Sequence, residues 1–169
     1  IYTTTDTLSL HDALPIYEAA LRLDAGDPAA LASLGACQAA LGGAAAARRA
    51  DRALCALAGD RPGQVPASLE AEARYRLGLS ADPEGPAGDV RTDLERALWL
   101  APEDPRADQA FEALVAAQLR LGEPEAALAV TRARVERAAA RGDDAAARAA
   151  LTAGAALVPT SPSVSKAWT

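Results

Sequence analysis

Histidine is almost absent from this chain of 169 residues, occurring once as His11. Every His-dependent triad and every His-bearing metal site therefore hangs on that single side chain. Cysteine occurs twice, as Cys37 and Cys55. Lacking CxxC spacing, the two read as small buried hydrophobes rather than as a metal or redox motif. Aromatic residues make up only 4%, so a core has to be built from Leu, Val and Ala. Asp, Glu or Arg interrupts every apolar stretch before it reaches the roughly 20 residues that span a bilayer, and no membrane insertion is expected. Lysine stands alone at Lys166, with arginine supplying all other positive charge. Together with the abundance of alanine, this reads as the codon bias of a GC-rich, bacterial genome. Acidic residues outnumber basic ones, 23 to 17, for a net charge of −6. That balance argues for solubility and against a nucleic-acid surface, where a clustered basic face is expected.

The opening stretch, Ile1–Ile16, is unlike the remainder. Thr3, Thr4, Thr5 and Thr7 crowd it, whereas Ala, Leu, Arg, Asp and Glu dominate after Tyr17. Read back into codons, Thr7 to Ile16 can be written ACT CTT TCC CTA CAC GAC GCT CTT CCG ATC. This DNA resembles the adapter ligated to fragments for short-read sequencing. Residues 1–16 are accordingly expected to be a non-native segment, to be set aside in fold reasoning, against the alternative of a genuine Thr-rich cap. The expectation removes His11 from consideration and takes the net charge from −6 to −4 by discounting Asp6 and Asp12. It also implies that the chain is a fragment whose native beginning lies further upstream. A helix entering this segment would start near Asp12–Ala13, since Pro15 fits best in a first helical turn.

What the chain does contain is internal repetition. Leu31, Leu34, Cys37 or Gln38, and Leu41 recur at helical spacing and form one apolar stripe. Pro28 suits the first turn of that helix, and Gly42–Gly43 supplies the break that stops it. Ala44–Gly59 then folds back as a second helix, and Ala53–Leu54 echoes Ala20–Leu21 at a spacing of 33 residues. After a Pro/Gly linker, Arg61–Ser68, a helix over Ser68–Asp82 carries Leu77–Gly78. Ser68 serves as its N-cap, and Glu70 pairs with Arg74 four residues on. Asp82–Asp89 reads as a widened loop and Val90–Pro105 as the returning helix, with Trp99 beside its stripe. A third pair spans Arg106–Gly122 and Glu125–Gly142. There Phe111, Leu114, Gln118 and Leu121–Gly122 repeat Leu31, Leu34, Gln38 and Leu41–Gly42 at an offset of 80. A last helix covers about Asp143 to Val158, and residues 159–169 form a flexible Pro/Ser-rich tail.

These residues carry a resemblance to the tetratricopeptide repeat family over about Tyr17–Gly142. Leu31 takes the usual Trp position, Leu34–Gly35 the Leu-Gly pair, and Ala97–Leu98, Leu100 and Pro102 the Ala-Leu…Leu…Pro ending. Gln38 and Gln118 depart from it by standing where Tyr is usual, as do the uneven repeat lengths. The resemblance implies an all-α fold: a right-handed α-solenoid of about three helical hairpins plus a closing helix, over residues 17–158.

Catalysis would need a nucleophile with its base, a metal cluster or a phosphate-cradling loop, and none is evident. The glycines of Asp82–Asp89 lack a P-loop's Lys-Ser/Thr ending. Asp24 with Asp27, and Glu103 with Asp104, sit in turns where Asp caps the next helix. Gly142–Asp144 lacks the ligand spacing of a calcium loop. No enzyme activity and no cofactor or metal are therefore expected.

The resemblance instead implies a groove lined by the first helix of each pair. In the first pair the groove positions are Ala29, Ala32, Ala36, Ala39 and Ala40, an alanine wall that reads first as a face packed on another helix and second as a peptide groove. The middle pair offers Glu72, Tyr75 and Leu79, and the third Gln109, Glu112, Ala116, Leu119 and Arg120. Glu72, Tyr75, Gln109, Glu112 and Arg120 are the candidate partner-binding residues. Tyr75, amphipathic and rigid, leads them unless it is simply core. The basic and Asn side chains with which some family members clamp a terminal carboxylate are missing from these positions. The expected role is a non-enzymatic interaction or scaffold module holding a protein, a peptide or a neighbouring domain of its own chain. The alternatives are a C-terminal regulatory or scaffolding arm of a larger bacterial enzyme or regulator, and a plain structural spacer.

Overall fold

The computed structural model describes residues 4–81 and 85–157. Among them there are eight α-helices: α1 Thr4–Leu23, α2 Pro28–Ala40, α3 Ala44–Asp60, α4 Ala67–Leu79, α5 Ala87–Leu100, α6 Ala107–Arg120, α7 Pro124–Ala140 and α8 Asp144–Leu157. The fold is all-α and repeat-like, with no strand among the described residues. The expected tail, residues 159–169, lies outside them. The chain divides into two units, Ile1–Ala110 and Phe111–Thr169.

Helix ends follow local chemistry closely. The Asp27 carboxylate accepts hydrogen bonds from Ala29 N (2.9 Å) and Ala30 N (3.2 Å), satisfying two of the orphan donors at the start of α2. Asp104 accepts from Arg106 N at 2.8 Å just before α6, and Asp143 from Ala146 N at 2.9 Å at the start of α8. Gly42, Gly122 and Gly142 all have positive φ, and the same pair of bonds surrounds each. At the end of α2, Gly42 N donates to Ala39 O and Gly43 N to Gln38 O; α6 and α7 end likewise. Such a left-handed residue turns the chain back while covering the last carbonyls.

Three boundaries differ from the sequence reading. The first helix begins at Thr4 rather than near Asp12–Ala13, and Pro15 lies inside it. Proline's fixed φ is helical, so the helix continues through it even though the ring removes one backbone donor and crowds the carbonyl four residues back. Ser68 is not an N-cap: Pro66 is, and its carbonyl accepts from Leu69 N and Glu70 N. The loop expected over Asp82–Asp89 ends sooner, because Pro86 takes the cap position and α5 starts at Ala87. Pro residues set both starts by holding an extended backbone just ahead of the helix.

In the first unit α2 packs on α3 and α4 on α5, α1 lies on α2, and α4 also touches α3 and α2. Leu31, Ala32, Leu54, Cys55, Val65, Ala73 and Leu77 form its core, with Leu21, Leu57 and Leu69 packed against them. Both hairpins use glycine to bring their helices together. A Cβ on Gly35 would stand 2.5 Å from Asp51 Oδ1, and one on Gly78 would collide with the Leu94 side chain. In each case the glycine meets the residue 16 positions later on the returning helix. In the second unit α7 packs on α8, Gly154 lies tight against Thr131, and Arg134 on α7 bonds Glu112 on α6 at 2.7 Å.

Candidate functional site

Ala44, Ala47, Arg48 and Asp51 fall three or four residues apart, which sets them on one face of α3. The same spacing aligns Glu72, Tyr75, Arg76 and Leu79 on α4. Where these faces meet the end of α2, a cavity of about 320 Å³ opens, lined by Ala39, Gly42, Arg48, Asp51, Tyr75, Arg76, Leu79 and Arg106 among others. Its walls are chiefly apolar, its corners arginine.

Asp51 lies at the bottom, 1% exposed. Arg76 grips it with two bonds, Nη2 to Oδ1 at 2.7 Å and Nε to Oδ2 at 3.1 Å, and turns Nη1 to Glu72 at 2.8 Å. Bidentate pairing of this kind fixes orientation as well as charge. Burial pushes the Asp51 carboxyl above its ordinary value, against the opposing pull of the Arg76 bond and charge. Tyr75 is fully buried and donates its hydroxyl proton to Ala101 O at 2.8 Å. The Arg106 guanidinium covers its ring at 5.0 Å and is held by Asp104 through Nε and Nη2, both at 2.8 Å. Arg48 is different: Nη1 donates to Ser80 O at 3.3 Å, and no carboxylate among the described residues pairs with it.

On the far side of α4 a second ionic group ties α4 to α5. Glu70, 6% exposed, accepts from Arg96 Nε (3.0 Å) and Nη2 (3.2 Å), and its Oε1 lies 3.4 Å from Arg74 Nε, the i,i+4 pair expected from sequence. Arg74 Nη1 bonds Asp93 at 2.7 Å. Cys55 lies beside this group as a free, buried thiol, pushed up to about 12 by burial. Trp99 is exposed, with Arg96 stacked 4.5 Å over its ring.

Of the five residues singled out from sequence, Glu72 and Tyr75 belong to the cavity region, the first as the anchor of Arg76 and the second as its buried floor. Gln109 is exposed on α6. Glu112 and Arg120 are exposed in the second unit, where Glu112 is engaged by Arg134. The alanine wall splits: Ala32 is buried, with its carbonyl 3.4 Å from Arg76 Nη2, while Ala29, Ala39 and Ala40 are exposed. Sequence reasoning missed Arg48, Asp51, Arg76 and Arg106. A signal for Asp51 existed, since it stands 16 residues after Gly35 as Leu94 stands after Gly78. For the arginines the local spacing shows only Glu72 four residues before Arg76 and Asp104 two before Arg106; nothing in it places Arg76 on Asp51, 25 residues away.

No group of three or more metal-ligating side chains occurs among the described residues, and no described helix is long and apolar enough to cross a membrane. Neither a protein-family model nor a curated protein matches the chain.

Proposed function

We propose that this chain is a non-enzymatic protein–protein interaction or scaffold module, built from tetratricopeptide-like hairpins stacked as a right-handed α-solenoid. The observation that carries the reading is the shared register of the first two hairpins, in which Gly35 meets Asp51 and Gly78 meets Leu94 at the same 16-residue interval. A repeated hairpin cannot bury its own apolar face and stacks on neighbours. The stacking leaves a surface where α3 and α4 meet the end of α2, and there the apolar, arginine-cornered cavity supplies a place for a partner's side chains. Helix ends closed by the same glycine geometry in α2, α6 and α7 support the repeat reading further.

The test is affinity capture with the tagged full chain, followed by titration calorimetry with each recovered protein. The expected result is a saturable complex of fixed stoichiometry. Turnover of a substrate by the purified chain, or no protein recovered above background, would sink the reading.

A further inference from the structure

The arginines around the cavity are not equivalent. A guanidinium has five N–H donors, and Arg76 directs four of its contacts to Asp51, Glu72 and Ala32 O. Arg106 spends Nε and Nη2 on Asp104, and its Nη1 makes no hydrogen bond among the described residues. Arg48 spends one donor, on a carbonyl. Spare cationic donors are thus concentrated on Arg48 and Arg106, two guanidiniums lining one cavity, with Leu79, Ala39 and Ala44 beside them.

We infer that this cavity takes an internal acidic side chain of a partner protein, its carboxylate between Arg48 and Arg106 and a flanking apolar side chain against Leu79, Ala39 and Ala44. The inference rests on the interaction-module reading and names the partner's chemistry. The count of charge decides between a carboxylate and a phosphoryl group. Asp51 and Glu72 pair with Arg76, and Asp104 with Arg106, so Arg48, the one guanidinium of the three without a carboxylate among the described residues, matches a single negative charge and not a dianion. One added negative charge is met locally, because the three acids cluster on Arg76 and Arg106 and leave Arg48 unmatched. The volume, about 320 Å³, suits one or two side chains rather than a folded element. Arg48 lies on the second helix of its hairpin, which is why inspection of first-helix positions alone did not reveal it.

The experiment uses the full chain labelled with nitrogen-15 and follows the arginine Nε–H signals. Three probes are titrated: N-acetyl-Leu-Glu-Leu-amide, its Gln counterpart, and inorganic phosphate. Blocked ends leave the Glu side chain as the peptide's only charge. The expected result is a saturable shift of the Arg48 and Arg106 signals with the Glu peptide, a Gln peptide weaker by roughly tenfold or more, and loss of that preference in Arg48→Gln. Ala44→Glu, which puts a carboxylate at the cavity wall, should block the Glu peptide in a chain whose helix content is unchanged. Equal response to both peptides, no response to either, or a phosphate response at lower concentration than the Glu peptide would each overturn the inference. A natural partner captured equally well by wild type and Arg48→Gln would overturn it too, while leaving the module reading in place.

Discussion

Gly35 and Asp51 show how one residue's chemistry is dictated by another far away in sequence. The carboxylate occupies the space a Cβ would need, and it cannot retreat because Arg76 holds both its oxygens. Gly35→Ala gains about 1 kcal/mol of helix propensity and loses about 1–3 kcal/mol to overpacking, so the variant should be less stable than wild type by chemical denaturation. Gly59→Ala, where nothing lies within 4 Å, should instead be neutral or stabilising by up to about 1 kcal/mol. Equal effects at the two sites would show that the close approach is not limiting. The cysteines make a second prediction at this scale. Both are buried and Cys55 is held protonated well above neutrality, so neither should react with a disulfide reagent at pH 8 until the chain unfolds. Rapid labelling of the native protein would refute it. That they were small buried residues was legible from their isolation in the sequence; the burial of Asp51 was harder to read, since a carboxylate among Arg48, Arg49 and Arg52 has the signature of solvated surface and only its 16-residue interval from Gly35 pointed inward.

At the scale of elements, turn chemistry carried most of the legible information. Asp27 caps α2 as its position suggests, Asp143 accepts from Ala146 N at the start of α8, Asp104 orders the turn just before α6, and three glycines end three helices in the same way. Gly122→Ala forces a side chain into φ +75° and should destabilise the second unit by about 1 kcal/mol, read as a lower melting temperature. No change would show that α6 can end otherwise. The misread boundaries share one cause. Pro15 reads from sequence as a first-turn residue and Pro66 and Pro86 as linker residues, whereas the first is carried within α1 and the other two stand immediately ahead of helices. Apolar periodicity located the helices and fixed no cavity, because the cavity's corners are charged residues whose partners come from other helices.

For the molecule as a whole, buried carboxylates set an acid response of unusual sign. Burial raises Asp51 above its ordinary value of 3.8, and Asp93 is raised for the same reason despite its Arg74 bond. The folded state therefore binds these protons at a pH where the unfolded state still releases them, so the stability they contribute is fully present below the unfolded value and is lost as pH rises through the folded one. Wild type minus Asp51→Asn stability should accordingly grow as pH falls from neutrality toward 3.8 and then level off. A difference that shrinks on acidification would mean the Arg76 bond outweighs desolvation. Much of the remaining core is alanine, with Ala73, Ala97, Ala107, Ala110, Ala127, Ala138 and Ala150 fully buried. Such small side chains allow close helix approach at the expense of apolar area per residue.

The Asp51–Arg76 grip joins a carboxylate on one hairpin to a guanidinium on the next. In a one-dimensional chain of coupled hairpins, the boundary between a folded and an unfolded neighbour would then strand a buried charge, which costs about 3–5 kcal/mol. Such boundaries should be depleted from the ensemble. Amide hydrogens of α3 and α4 should consequently exchange through one shared opening with a common free energy. In Asp51→Leu, which places at this position the residue type of its counterpart Leu94, the coupling should fall to what the shared apolar core of Leu54, Cys55, Ala73 and Leu77 supplies, and the opening free energies of the two helices should diverge.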